Sequence, residues 1–210
     1  MARIEKDFLG EKELPDNAYY GVQTLRGREN FHITGIPMSA EPYFVKAFGY
    51  VKKAAALANR DLGVLDARVA DAIVGACDRL IAGEMCDQFV TDFIQGGAGT
   101  STNMNANEVI ANLALESLGY RKGEYQHVNP NDHVNYGQST NDIYPTAFRL
   151  ALILRLTSYM EALRLLQEAF FAKGKEFERV LKMGRTHLQD AVPMSLGQEF
   201  HGWGTTIGEE

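Results

Sequence analysis

Apolar positions recur along most of this chain with the period of an α-helix, and two stretches, residues 1–35 and 120–138, stand out for lacking it. From Ser39, with Pro42 near the start, Phe44, Val45, Phe48, Ala55 and Leu57 run through an Ala- and Lys-rich segment to about Arg60 and predict a first helix. A second is predicted from about Asp66, because Val69, Ala72, Ile73, Ala76, Cys77 and Leu80 fall on one face and Gly83 closes it. Val109, Ile110, Leu113 and Leu118 rebuild a helical stripe that stops at Gly119. Tyr144, Phe148, Leu152, Leu156, Tyr159, Leu163, Leu166 and Phe170 then repeat at spacings of 4, 4, 4, 3, 4, 3 and 4. That near-heptad seam predicts one long helix of about 33 residues, on the order of 50 Å.

The two aperiodic stretches read differently from each other. The first 35 residues mix Gly, Pro and charge with short apolar pieces and predict turns, a short hairpin and little helix. Residues 120–138 are polar and turn-rich, an ordered loop whose end marks a domain boundary, giving domains 1–138 and 139–210. A helix as long as the one that follows needs parallel neighbours of similar length to cover its stripe, which implies a bundle shared between subunits. Ser195 and Gln198 form a capping box, and Leu196, Phe200, Trp203 and Ile207 open an amphipathic helix behind it. No stop signal follows, and Glu209 and Glu210 sit at the negative end of the helix dipole, so the chain is expected to continue past residue 210.

Composition narrows the class. At 210 residues, 45% apolar and 23% charged, the chain has the composition of a folded soluble protein, and the helical periods above make its expected class mainly α. It lacks both an apolar run of membrane-spanning length and the apolar core of a secretory signal, so a cytoplasmic protein is expected. With 21 basic against 27 acidic residues, a net charge of −6 and no basic run, nucleic acid and membrane are not expected partners. Cys77 and Cys86 are expected to be reduced thiols, Cys77 buried on its helix face.

Three polar stretches could carry chemistry, each an array of hydroxyls and backbone N–H groups at or near a helix start, which suits an anion. The first is Gly96-Gly-Ala-Gly-Thr-Ser-Thr-Asn103, whose glycines permit close backbone approach; it lacks the Gly-Lys-Ser/Thr ending of a nucleotide P-loop. The second, Gln138-Ser-Thr-Asn-Asp142, offers more hydroxyl and amide groups than capping requires. The third, Gly184-Arg-Thr-His-Leu-Gln-Asp190, carries His187, the one group in the three stretches that titrates near neutrality. Taken singly, each also reads as ordinary chemistry: a glycine turn with an N-cap, a plain helix cap, and a surface histidine. His127 and His133 flank Asn129-Pro-Asn-Asp132 at a spacing that fits no zinc site.

Together with Arg3-Ile-Glu-Lys-Asp7, Asn129-Pro-Asn-Asp-His-Val-Asn135 and Leu196-Gly-Gln-Glu-Phe200, the three stretches in this order resemble the aspartase/fumarase superfamily over the whole chain. Gly-Gly-Ala-Gly-Thr-Ser and Gln-Ser-Thr-Asn-Asp are similar to the aspartate ammonia-lyase branch, whereas class II fumarases typically show Gly-Ser-Gly-Thr-Gln-Ser and Gln-Ser-Ser-Asn-Asp there. The resemblance implies reversible deamination of L-aspartate to fumarate and ammonia, with no metal or organic cofactor in the chemical step. It also implies a homotetramer around a helical bundle, each active site drawing on three subunits. Removing a proton beside a carboxylate puts a second negative charge on that group, so donors that strengthen as the charge develops are needed. By motif position, Thr100, Ser139 and Thr140 would donate to that carboxylate, while Asn141, Thr186 and His187 would hold the amino and α-carboxylate end. For His187 substrate positioning is favoured over proton transfer. The superfamily's catalytic serine loop, Gly-Ser-Ser-x-x-x-x-Lys-x-Asn, has no match in these residues. The 129–132 turn is similar to a secondary dicarboxylate site of fumarases but has Asn129 where those have His, which argues against such a site here. A fumarase-type hydratase using L-malate and a catalytically silent assembly module are the competing readings.

Overall fold

Helix–helix packing, with two β-hairpins as the sole sheets among the described residues, makes up the computed structural model, which describes residues 2–209. The mainly α class expected from periodicity holds. The strands and helices are β1 (Ala2–Asp7), β2 (Gly10–Pro15), α1 (Val22–Asn30), α2 (Pro42–Asp61), α3 (Ala67–Ile81), α4 (Thr100–Ser117), α5 (Thr140–Glu176), β3 (Leu181–Thr186), β4 (Gln189–Ser195) and α6 (Leu196–Glu209). They form two compact units that divide within α5, between Leu154 and Arg155. That division lies about four turns past the 138/139 junction read from loop composition. Ala147 and Ala151 of α5 still pack in the first core, and the Phe148 ring meets Phe44 at 6.0 Å.

In the first unit α2 and α3 form a helical hairpin. Pro42 opens α2 where a missing N–H costs nothing, and Asp66 caps α3 by accepting from Arg68 N and Val69 N at 3.0 and 3.1 Å. The α3 stripe is buried as its spacing predicts: Ile73, Cys77 and Leu80 are wholly enclosed, and burial of an aliphatic side chain of that size is worth about 1.5–3 kcal/mol. Gly49 lets the two helices meet. A Cβ there would stand 2.9 Å from Ile81 Cγ1 and 3.1 Å from the Cys77 carbonyl oxygen. Cys77 is free and buried, and Cys86 is free and half-buried.

The centre of this unit is α4, buried from Thr102 to Leu115. Its apolar stripe is the one the sequence predicts, but its other faces are polar and equally enclosed, and the polar side chains fasten loops from several parts of the unit. Asn105 donates to Gln88 O at 2.9 Å and accepts from Val90 N at 3.0 Å. Asn112 donates to Tyr19 O and accepts from Gly123 N, both at 2.8 Å. Glu108 accepts from the backbone N–H of Gly21, Gln23 and Thr24 and from the Thr24 hydroxyl, at 2.6–3.0 Å. Those groups are the orphan donors of α1, so this helix is capped from across the fold, and it appears where the sequence predicts little helix. Burial pushes the Glu108 carboxyl up to about 7 against the pull of its donors.

The expected amino-terminal hairpin is present, its register running from Ala2 opposite Pro15 to Asp7 opposite Gly10. In the second unit, α6 starts at the expected capping box: Gln198 N donates to Ser195 Oγ at 3.1 Å and Ser195 N to Gln198 Oε1 at 2.9 Å. Phe170, Phe177, Phe200 and Trp203 interlock with centroids 5.0–6.0 Å apart. The third polar stretch, expected at or near a helix start, lies instead in a second hairpin, β3 against β4. Among the described residues no helix is long and apolar enough to cross a membrane.

Candidate active site

The glycine stretch opens α4 with Gly97, Ala98 and Gly99 at φ of +69°, +52° and +93°. Such a run of left-handed residues turns the chain sharply and costs about 1–2 kcal/mol at the alanine. Gly99 is the residue before the helix, and the Tyr144 ring lies over its α-carbon so closely that no side chain fits there. The cap comes from Gln95, whose Oε1 accepts from Thr102 N at 2.7 Å and whose amide donates to the Thr102 hydroxyl and to Asp92 O. Thr100, the first residue of α4, is exposed and its hydroxyl donates to Gly97 O at 2.6 Å.

The second stretch opens α5. Ser139 caps it, its Oγ accepting from Asn141 N at 3.3 Å and its carbonyl from Asp142 N and Ile143 N at 3.1 and 3.0 Å. Thr140 is half-buried, and its Oγ1 accepts from Asn103 Nδ2 of α4 at 3.1 Å. That bond ties the two helix starts together, and their positive ends and free N–H groups favour an anion. A cleft of about 440 Å³ lies between them, lined by Gln95, Ala98 and Gly99 from one and Asn141, Tyr144 and Pro145 from the other. Burial raises the Tyr144 hydroxyl above its ordinary range. Thr100 lines a separate cleft of about 690 Å³ with Gln23, Arg26 and Ser101.

The structure therefore brings Thr100, Ser139, Thr140 and Asn141 onto two adjoining helix starts. Thr186 and His187 belong to the second unit. Thr186 ends β3 opposite Gln189, and His187 and Leu188 form the two-residue turn, both at left-handed φ of +51° and +60°. A hairpin turn of this kind usually takes Asn-Gly, so a histidine and an exposed leucine hold it at a cost in strain.

Behind the first unit's cleft lies a polar cluster that the motif reading missed. Asn135 Oδ1 accepts from Lys52 Nζ at 2.8 Å, Asn103 Nδ2 at 3.1 Å and Asn107 Nδ2 at 3.2 Å. Lys52 Nζ also donates to Gln138 Oε1 at 2.9 Å, and Asn135 Nδ2 to Gln138 O at 3.0 Å. Lys52 is fully enclosed, and burial pulls its ammonium down to about 7. One signal could have found it: Val45, Phe48, Lys52 and Ala56 share one helical face, and the other three are core. Among the described residues no group of three or more His, Cys, Asp or Glu is placed to hold a metal ion.

A family model described as Lyase matches residues 10–210. The chain belongs to this lyase family. It is 60% identical over 209 residues to the aspartate ammonia-lyase of Pseudomonas aeruginosa, 56% over 208 to that of Helicobacter pylori strain J99 and 54% over 209 to that of Escherichia coli K12. Each match covers 99–100% of this lyase chain and 44% of the relative. Among solved structures it is similar to a fumarate lyase:delta crystallin from Brucella melitensis bound to cobalt, with a TM-score of 0.91 and 55% identity, covering 100% of this chain and 45% of that one. A class II fumarase from Schistosoma mansoni matches at 0.84 and 39%, covering 100% and 44%. The lyase chain thus spans less than half the length of the relatives it matches.

Proposed function

We propose that this chain carries the carboxylate-binding part of an aspartate ammonia-lyase site, for reversible conversion of L-aspartate to fumarate and ammonia. The observation that carries this reading is the Asn103–Thr140 hydrogen bond, which joins two helix starts next to the cleft that Asn141 lines. In the elimination a base takes the Cβ proton, the electron pair moves into the adjacent carboxylate as an aci-dianion, and its return forms the C=C bond as ammonia leaves. The dianion is the species to stabilise. Because Thr140 Oγ1 already accepts from Asn103, its own O–H is left to donate, and one such donor is worth about 3–4 kcal/mol in a transition state. Ser139 donates beside it; motif position assigns Thr100, after releasing Gly97 O, to the same carboxylate, and Asn141, Thr186 and His187 to the amino and α-carboxylate end.

None of the 210 residues is assigned the role of base, which the family resemblance gives to a serine on a separate loop. Residues 1–138 act as the amino-terminal lyase domain and 139–210 as the first helices of a central bundle, in a cytoplasmic homotetramer. The exposed Leu152, Leu156, Tyr159 and Leu166 of α5 support the bundle.

Fumarate formation tests the reading. The chain alone and the chain refolded with the remainder of the Pseudomonas aeruginosa relative are each given L-aspartate, with L-malate in parallel. Turnover of L-aspartate by the pair and not by the chain alone is expected. Turnover of L-malate alone would replace the reading with a hydratase, and an inactive pair would leave an assembly role.

A further inference from the structure

Lys52 is a lysine in a place where an uncharged side chain of the same length would pack at lower cost. It lies on the buried face of α2 with Phe48 and close to the enclosed Cys77, and taking an ammonium out of water is expensive unless its partners return the energy. Its partners are two amide oxygens, Asn135 Oδ1 and Gln138 Oε1, which flank the turn into α5. Gln138 immediately precedes the Ser139-Thr140-Asn141 start, and its own amide is spent on Val134 O and Tyr136 O at 2.9 and 3.3 Å.

The orientation of Asn103 gives the second half of the argument. Its Nδ2 reaches both Asn135 Oδ1 and Thr140 Oγ1, while its Oδ1 is buried with no partner. An unpaired buried carbonyl is costly, and rotating the amide would exchange the two ends. The rotated form is barred because it would set the Asn103 oxygen against the Asn135 oxygen, which Lys52 and Asn107 hold in place as an acceptor. Among the described residues no acceptor takes the Thr140 hydroxyl proton, so with Oγ1 already accepting, that proton is free for a ligand.

We propose that Lys52 is a positioning residue which, through Asn135 and Gln138, fixes the turn into α5 and, through Asn135 and Asn103, aims the Thr140 hydroxyl at the substrate carboxylate. The inference rests on the reading of Thr140 as a substrate donor. Burial draws the Lys52 pKa down to about 7, in keeping with the cost of placing it there.

The test is a double-mutant cycle in the reconstituted pair, using Lys52→Met and Thr140→Val. Lys52→Met is expected to lower kcat on the order of 100-fold, the size of effect a small misplacement produces. In the Thr140→Val background the same change is expected to cost less than about threefold, because the hydroxyl it aims is gone. Equal losses in both backgrounds would overturn the inference, since a purely structural lysine acts regardless of Thr140. If Lys52→Met fails to fold, Asn103→Ala carries the same cycle with both Lys52 acceptors intact. A Thr140-independent loss there is equally fatal. A parental pair without aspartate turnover would sink the functional reading alone. Hydrogen exchange of the 210-residue chain then decides whether Lys52 holds the turn: Lys52→Met, or the shorter Lys52→Gln if the methionine variant does not fold, is expected to weaken protection of the Asn141–Ile143 amides by about tenfold while leaving α3 unchanged. Unchanged protection at 141–143 would overturn the inference.

Discussion

Replacing Gly99 with alanine should cost the first unit about 3 kcal/mol, and the structure says where that figure comes from. At φ +93° an L-residue bears left-handed strain of about 1–2 kcal/mol. The added Cβ would also strike the Tyr144 ring, which packs on Phe44 at 5.3 Å and Phe48 at 6.3 Å, so the ring must leave both partners. Aromatic pairs of this kind contribute about 0.5–1.5 kcal/mol each, so their loss adds about 2 kcal/mol. In a chain of this length a 3 kcal/mol change lowers Tm by about 6–12 °C, well within the reach of calorimetry. The two sources separate in a cycle with Tyr144→Ala. In that background the clash is absent, and Gly99→Ala should cost only the backbone strain, leaving a coupling of about 2 kcal/mol. Additive losses, or a single-variant cost under about 1 kcal/mol, would refute the claim that the ring dictates this glycine.

Three further outcomes follow from the same geometry. Thr140→Ala should lower kcat of the reconstituted pair by about 10²–10³-fold while moving Tm by less than about 3 °C, and an unchanged kcat would remove Thr140 from the site. Asp92 accepts from the Ile33, Thr34, Gly35 and Ile94 amides and the Thr34 hydroxyl, and although burial pushes the other way these bonds hold its carboxyl at about 2. Its stabilisation is therefore present above the ordinary value near 3.8 and is lost as pH falls toward 2; Asp92→Asn should flatten that acid limb in a pH series of urea titrations. Asp66→Ala removes the α3 cap and should cost about 1 kcal/mol by urea unfolding.

What the sequence revealed and what it hid divide by the range of the interaction. The α3 stripe, its Asp66 cap and the Ser195–Gln198 box are all written within a few residues, and each stands in the structure where its spacing predicts. The long α5 is the same case, 37 residues against about 33 expected from the seam. Helix α1 was hidden because its cap is Glu108, 84–87 residues away, and its own residues show no apolar period. The β3–β4 hairpin was hidden because His187-Leu188 is not the turn chemistry that announces one. At the candidate site the hydroxyl-rich motifs were visible as motifs, but the Asn103–Thr140 bond, the Asn135 junction and the burial of Lys52 depend on pairings that no local window contains.

The polar side chains of α4 also bear on how this chain finds a single native state. Asn103, Asn105, Asn107, Glu108 and Asn112 address chain positions that lie from Tyr19 to Asn135, each from its own height on one rigid rod rising 1.5 Å per residue. An apolar helix would accept those loops slid by a residue at little cost. This one would be left with several enclosed amides and a carboxylate facing the wrong partners, a penalty that grows with every loop out of place. Misregistered compact states are thereby raised in energy together, and folding specificity is encoded in a helix whose composition, judged on burial alone, looks too polar for the middle of a protein.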